Sequence, residues 1–382
     1  MTRNLLSTLI LWTVCTILVF FCFVIIAAAQ EDSICTTRSA HVGFIFPLST
    51  NGVDAPKFSN GFSLHALAGV SREERAFCLS GISSIVKEDA TGVMISGIYS
   101  QVGNHAKGVQ ISGMVNVIGK EAEGVQLAGF ANVTGNANGT QVAGFTNVSK
   151  NVDGAQIAGF ANSSKEVDVQ VAGFSNVTKR SEALQLAGFI NVAQEARTQV
   201  SGFINIARKV KGVQIAGFIN VAEESNYPIG LINIIKNGEK QLGLTMDEAG
   251  TTMLAFRSGG KVLYGIIGAG YNFDNDNARY AVEGGIGAHF AFNKYFRTNL
   301  EITVATLSDL QYDVYMKSST KLFAAFKIAN RIEIFAGPSF NYLGYERGQA
   351  DIRNDSYLWR ERSNNHFNGL YIGATGGIQV NL

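Results

Sequence analysis

Between residues 75 and 235 the chain alternates apolar and polar positions in short bursts that recur at a nearly fixed interval. The clearest copies read Gly-Val-Gln-Ile-Ser-Gly-Met-Val-Asn-Val at 108–117 and Gly-Val-Gln-Leu-Ala-Gly-Phe-Ala-Asn-Val at 124–133. Later copies carry Gln141, Gln156, Gln170, Gln185, Gln199 and Gln214. Their central glycines run from Gly113 through Gly129, Gly144, Gly159, Gly173, Gly188 and Gly202 to Gly217, a period close to 15 residues. Degenerate copies surround Gly81, Gly97 and Gly230. In the second copy Val125, Leu127, Gly129, Ala131 and Val133 share one face, and Gln126, Ala128, Phe130 and Asn132 share the other. A period of two is the signature of a β-strand. The spacing predicts a strand of nine or ten residues followed by a polar turn such as Thr134-Gly135-Asn136-Ala137-Asn138. The interval varies in these turns, as it does where strands are joined by tolerant surface loops.

Two architectures fit such a repeat. In an up-and-down meander each copy is one strand, antiparallel to the next. In a β-solenoid each copy is one coil, stacked parallel on its neighbours. The motif is nearly palindromic about its glycine, with Gln126 three residues before Gly129 and Asn132 three after. Antiparallel pairing would set Gln across from Asn and Phe across from Ala, large against small. The solenoid would instead stack Gln on Gln and Asn on Asn, which is also physically sound. The meander is the leading expectation and the solenoid its alternative.

Beyond residue 240 the repeats fade and the alternation sharpens. Phe296, Thr298, Leu300, Ile302 and Val304 oppose Arg297, Asn299, Glu301 and Thr303. The same pattern runs along 331–342 and 369–382, to the last residue. Alternating segments of about ten residues match tilted strands that cross an outer membrane, and barrel closure removes the sheet edges that lipid forbids. Tyr264, Tyr271, Tyr280, Tyr295, Tyr342 and Tyr345 fall near expected strand ends, where aromatic girdles form. The fold expected is an all-β, up-and-down antiparallel transmembrane barrel of roughly 18–22 strands, its walls built partly from the repeats. The alternative is a β-solenoid followed by a small C-terminal barrel of about eight strands. The expected organisation is a signal peptide at 1–29, a repeat-containing region at 30–240 and barrel strands at 241–382, continuous with the repeats. The polar stretch 345–366 reads as the longest loop.

The first 30 residues bear on the compartment. Arg3 precedes an apolar run from Leu5 to Ile26, which ends in Ala27, Ala28 and Ala29 before polar Gln30, Glu31 and Asp32. A positive start, an apolar stretch and a small-residue exit describe a secretory signal. Export leaves Cys35 and Cys78 in the mature chain, either as one disulfide or as two small apolar side chains. Charged residues are only 16% of the chain and the net charge is +1, so no basic footprint for nucleic acid exists. Mean hydropathy is +0.12, high for a chain that faces water on all sides.

The chain resembles a bacterial, Gram-negative family of surface proteins with G-x-Q-x-x-G-x-x-N repeats. The likeness rests on the repeats, on the openings Val42-Gly43-Phe44-Ile45-Phe46-Pro47-Leu48-Ser49 and Phe62-Ser63-Leu64-His65, and on Pro228-Ile229-Gly230-Leu231-Ile232-Asn233. It implies an envelope location and no particular activity.

Candidate chemistry is sparse. None of His41, His65, His105, His289 and His366 has a His or Cys at metal-ligand spacing. Glu283 and His289 share a strand face and could begin an acid–base pair, though such residues are more often ordinary lumen-facing polar groups. No catalytic, cofactor or metal set emerges, and an enzyme is not expected. The polar positions expected to face a lumen or hold the repeats together are Gln110, Gln126, Asn132, Gln141, Asn147, Gln156, Gln185, Asn191, Gln214 and Asn220, joined by Glu283, His289, Arg297 and Glu301. The expected function is an outer-membrane pore or structural scaffold whose partner is the lipid bilayer. The alternative is a surface-exposed repeat protein for adhesion or partner binding, anchored by a C-terminal barrel.

Overall fold

The computed structural model describes residues 36–311, 314–346, 351, 357–363 and 366–382. The expected signal segment and Cys35 lie outside the described residues. Residues 58–235 wind into a parallel β-solenoid of about 12 turns. Each repeat is one coil. Ala131–Ala143 lies parallel to Thr146–Ala158 with Asn132 beside Asn147 and Gln141 beside Gln156. The same pairing of like with like runs on to Ile219–Ile229.

The ten-residue motif is not a single strand. After Ala143 the chain turns a corner at Gly144-Phe145 and resumes at Thr146. Gly144 N donates to Ala128 O at 3.1 Å and Phe145 N to Phe130 O at 3.0 Å, so the corner stays bonded to the coil before it. A Cβ on Gly144 would lie 2.1 Å from the Gly129 carbonyl oxygen, which excludes any side chain there. From Phe130 to Phe218 the corner rings stack with centroids 4.8–5.1 Å apart, close to the spacing of strands in a sheet. At the opposite side the chain bends through Gly139 and Gly154, each with φ of 132°, a backbone conformation that favours glycine.

The single barrel of roughly 18–22 strands therefore gives way to the alternative, a solenoid joined to a small barrel. An antiparallel meander needs the motif to remain one straight strand, and the corner at each Gly-Phe prevents that. The corner also interrupts the alternation. Phe130 was expected beside Gln126 and Asn132 on an inner face; it points outward and is 45% exposed, whereas both amides are buried.

From Lys240 the chain changes to antiparallel hairpins. Eight strands pair in chain order: Lys240–Asp247, Thr251–Gly259, Leu263–Asn272, Tyr280–Ala291, Phe296–Ser308, Val314–Lys327, Ile332–Glu346 and His366–Asn381. The last closes on the first, with Gln241 beside Asn381. A further short strand, Trp359–Arg362, pairs with the start of His366–Asn381. The short connections 260–262, 292–295 and 328–331 gather at one end of the barrel, with residues 240 and 381. The other end carries the short turn 248–250 and the longer connection 273–279, together with the strand ends Ser308, Val314, Glu346 and His366.

Candidate lipid-facing surface and the interiors it encloses

The barrel is polar inside. Arg257 Nε donates to Glu301 Oε1 at 2.8 Å, and the Tyr264 hydroxyl donates to the same oxygen at 2.9 Å. Arg297 bridges Glu239 at 2.7 Å and Glu333 at 2.6 Å. Lys317 meets Asp247 at 2.8 Å, and Lys321 is hydrogen-bonded to Glu283. His289 Nδ1 lies 2.9 Å from Asn299 Oδ1. Glu283 and His289 thus have different partners and do not form an acid–base pair. Buried Tyr264, Tyr315, Phe323, Phe335, Leu343 and Tyr371 fill the remaining space. A cavity of about 30 Å³ lined by Asp247, Glu283, Lys317 and Lys321 is left, room on the scale of single water molecules. Eight strands make a barrel just wide enough for side chains to fill.

Outside, the order is reversed. Leu244, Leu254, Val282, Ile286, Ile302, Val304, Leu322, Ile334, Phe340 and Ile372 stand exposed on seven of the eight strands. Of the tyrosines expected in girdles, Tyr271, Tyr280, Tyr295 and Tyr342 are on this outer surface, whereas Tyr264 and Tyr345 are buried. Large apolar patches on a protein surface mark a partner or a membrane, and here the patch encircles a charged interior.

The solenoid repeats the inversion. Its interior holds two amide ladders. Gln141 Nε2 donates to Gln126 Oε1 at 2.6 Å, Gln156 to Gln141 at 2.9 Å, and Gln170 to Gln156 at 2.9 Å. The ladder continues through Gln185 and Gln199 to Gln214. In the second ladder Asn116, Asn132, Asn147, Asn162, Asn176, Asn191, Asn205 and Asn220 each donate to the Asn of the following coil at 2.9–3.0 Å, ending at Asn233. Each Asn from Asn116 on also donates to a backbone carbonyl, as Asn116 does to Leu127 O at 2.8 Å and Asn147 to Ile157 O at 2.7 Å. Gln110 starts the series without such a bond: both its amide atoms are buried with no hydrogen-bond partner among the described residues, and Met94 occupies its place one coil earlier. Small Ala128, Ala143, Ala158, Ala172 and Ala187 fill the space beside the corners.

The apolar side chains that would form the core of a soluble solenoid are on its outside. Val125, Ile157, Leu186 and Ile215 flank one wall and Val177 and Ile206 the other, all more than a third exposed. Along the corners Ile82, Ile98 and Met114 lead into the phenylalanine stack, forming one continuous ridge. The charges are segregated. No Asp, Glu, Lys or Arg falls within 92–104, 108–119, 124–149, 154–164, 169–178, 184–193, 198–207, 213–222 or 225–235. Every charged residue between them belongs to a bend, where neighbouring coils pair them, as Lys107 with Glu123 at 2.9 Å and Lys209 with Glu224 at 2.9 Å.

The last coil rests on the outer wall of the barrel. Asn233 N donates to Ser258 Oγ at 2.9 Å, and its Nδ2 donates to Ser258 O at 3.1 Å. Gly230-Leu231 occupies the corner position of Gly217-Phe218. A Cβ on Gly265 would lie 2.0 Å from Gly230 O, and one on Gly284 would meet Leu231 Cδ2 at 3.5 Å. Outward-facing glycines therefore make the pad that receives the solenoid.

A buried polar cluster in the first coils escaped the sequence reading. His41 Nδ1 and His65 Nε2 are 3.1 Å apart, His65 Nδ1 is 3.1 Å from Ser80 Oγ, and His41 Nε2 is 3.0 Å from Ser49 Oγ. Asn60 links His41 to Glu74, which also accepts from Ser63 at 2.8 Å. Burial holds His65 down to about 4, with help from His41, and pushes Glu74 up to about 7. The Cys78 thiol is buried 3.4 Å from Ser84 Oγ and pushed up to about 12 by that burial. No alternation signal brings His41 and His65 together, because they lie 24 residues apart and meet only through coil stacking. Among the described residues no group of three or more His, Cys, Asp or Glu is placed to hold a metal ion.

No protein-family model, curated protein or solved structure matches this chain.

Proposed function

We propose that this chain is an integral protein of a bacterial outer membrane, in which the small barrel is the anchor and the solenoid is a repeat platform for binding a partner. The observation that carries this reading is the inverted barrel, with paired charges sealed inside and an apolar band outside. In water that arrangement would expose the apolar band at a cost of about 25 cal/mol for each Å². In a bilayer it is the stable one. The signal-like start and the resemblance to repeat-bearing envelope proteins agree with it. The filled lumen favours an anchor over a pore.

Outer-membrane barrels carry short turns toward the periplasm and longer loops outward. The solenoid enters at the short-turn end, so this reading turns its charged bends toward the periplasm. A partner within the envelope then fits better than adhesion at the cell surface.

Membranes from a Gram-negative host expressing the full chain test the anchor. The protein should remain in the pellet after alkaline carbonate washing. It should also migrate faster on a denaturing gel unheated than boiled. Release by carbonate, or identical mobility in both lanes, would remove the anchor reading.

A further inference from the structure

Resting on the anchor reading, we infer that the solenoid does not stand out in water but lies edge-on within one leaflet of the same bilayer. Its phenylalanine ridge is at the membrane midplane, its bends are among the headgroups, and its walls are covered by lipid acyl chains.

Placement at the joint carries the argument. In the final coil the bend residues Ser225 and Asn226 lie against Gly260, in the short-turn rim of the barrel. The corner of the same coil reaches Gly284, which pairs with Ile267 and Val304 near the middle of the wall. The coil therefore runs parallel to the barrel axis, from the rim to about half height. The solenoid axis, perpendicular to its coils, then lies in the membrane plane.

Depth agrees. Five residues, 155–159, separate the bend at Gly154 from Phe160. At about 3.3 Å per residue they span roughly 16 Å, half of a hydrocarbon core about 30 Å thick. With about 12 coils at about 4.8 Å each, the ridge extends roughly 55 Å along the leaflet.

Chemistry agrees as well. Lipid excludes backbone groups left without partners. Here the coils bond one another, and the amide ladders close within the interior. The chain before residue 58 pairs onto the first coil, and the last coil is stapled to the barrel through Asn233. The absence of charge from walls and ridge over nine successive intervals is what acyl chains require. A protein partner covering one wall would leave the other wall and the ridge without a reason to be uncharged.

Tryptophan quenching by lipids brominated near the chain middle tests the placement. In the full chain carrying Trp12→Phe and Trp359→Phe, one tryptophan is introduced at a time: Phe160→Trp on the ridge, Lys165→Trp on a bend, or Ile302→Trp on the barrel wall. Leu186→Trp, on a solenoid wall, replaces Phe160→Trp if the stack does not tolerate the larger ring. Each protein is incorporated into phosphatidylcholine vesicles. The ridge and barrel tryptophans should both lose most of their fluorescence in brominated lipid, and the bend tryptophan little. A quenched barrel tryptophan with an unquenched ridge would overturn the inference and leave the anchor intact. If cross-linking then joined two chains through the ridge, a second copy would be its cover. An unquenched barrel tryptophan would overturn the anchor reading itself.

Discussion

Gln141 Nε2 donates to Gln126 Oε1 at 2.6 Å, one coil away, and the two side chains share the interior that a soluble repeat protein would fill with leucine. Coil cohesion therefore depends on amides that are individually modest and costly to orphan. Gln156 both donates to Gln141 and accepts from Gln170. Gln156→Met should lower stability by about 1–2 kcal/mol by breaking both links. Gln110→Met should do the opposite, by up to about 1 kcal/mol, because a buried amide without partners is removed beside Met94. Thermal midpoints followed by circular dichroism in detergent would separate the two. Equal losses would mean that ladder position does not matter.

Gly159 offers a sharper test of coil stacking. A Cβ there would lie 2.1 Å from Gly144 O. Relief requires the coils to part, which breaks corner hydrogen bonds on both sides. Gly159→Ala should therefore cost at least about 2 kcal/mol, although alanine is normally a mild replacement in extended backbone. A midpoint within error of the parent would refute the close approach.

In the barrel, Arg257 and Glu301 are both buried and bonded. Arg257→Met strands the carboxylate, with a loss of about 3–5 kcal/mol. The double variant Arg257→Met, Glu301→Leu should regain much of that, since an apolar pair of similar volume is often no less stable than a buried ion pair. The temperature at which the fast-migrating gel band disappears reads this directly. A double variant worse than the single would show that the wider network with Tyr264 and Lys321 is what matters.

The first coils should respond to pH through Glu74 and His65. Glu74 is held protonated by burial up to about 7. Its contribution is complete below the ordinary carboxylate value and is lost as pH rises through 7. His65, held down to about 4, contributes the reverse: present above 6.5, it is lost as pH falls through 4. The two slopes oppose one another from about pH 4.5 to 6.5. Above that window only Glu74 still titrates, so the parent should lose stability between pH 6.5 and 8. Glu74→Gln should be flat there. Denaturant midpoints at the two pH values decide it, and a parent that is equally flat would place Glu74 in water.

Local structure is legible in the residues alone. Period-two alternation gives strands, the recurring Gly-x-Gln and Gly-Phe spacing gives a repeat of about 15 residues, and the pattern after residue 240 gives lipid-compatible hairpins. These follow from side-chain direction in extended backbone, which is a local property. Which strands are neighbours, and which face is inside, depends on packing between segments distant in the chain. A glycine-centred near-palindrome satisfies parallel and antiparallel pairing alike. Only the packed molecule reveals the corner at Gly144-Phe145 that forces parallel coils and turns Phe145 outward. It also decided that Glu283 meets Lys321 rather than His289, and that Leu231 rests on Gly284. Those contacts depend on barrel closure and on the seating of the last coil, and both are fixed by steric fit between segments far apart in the chain.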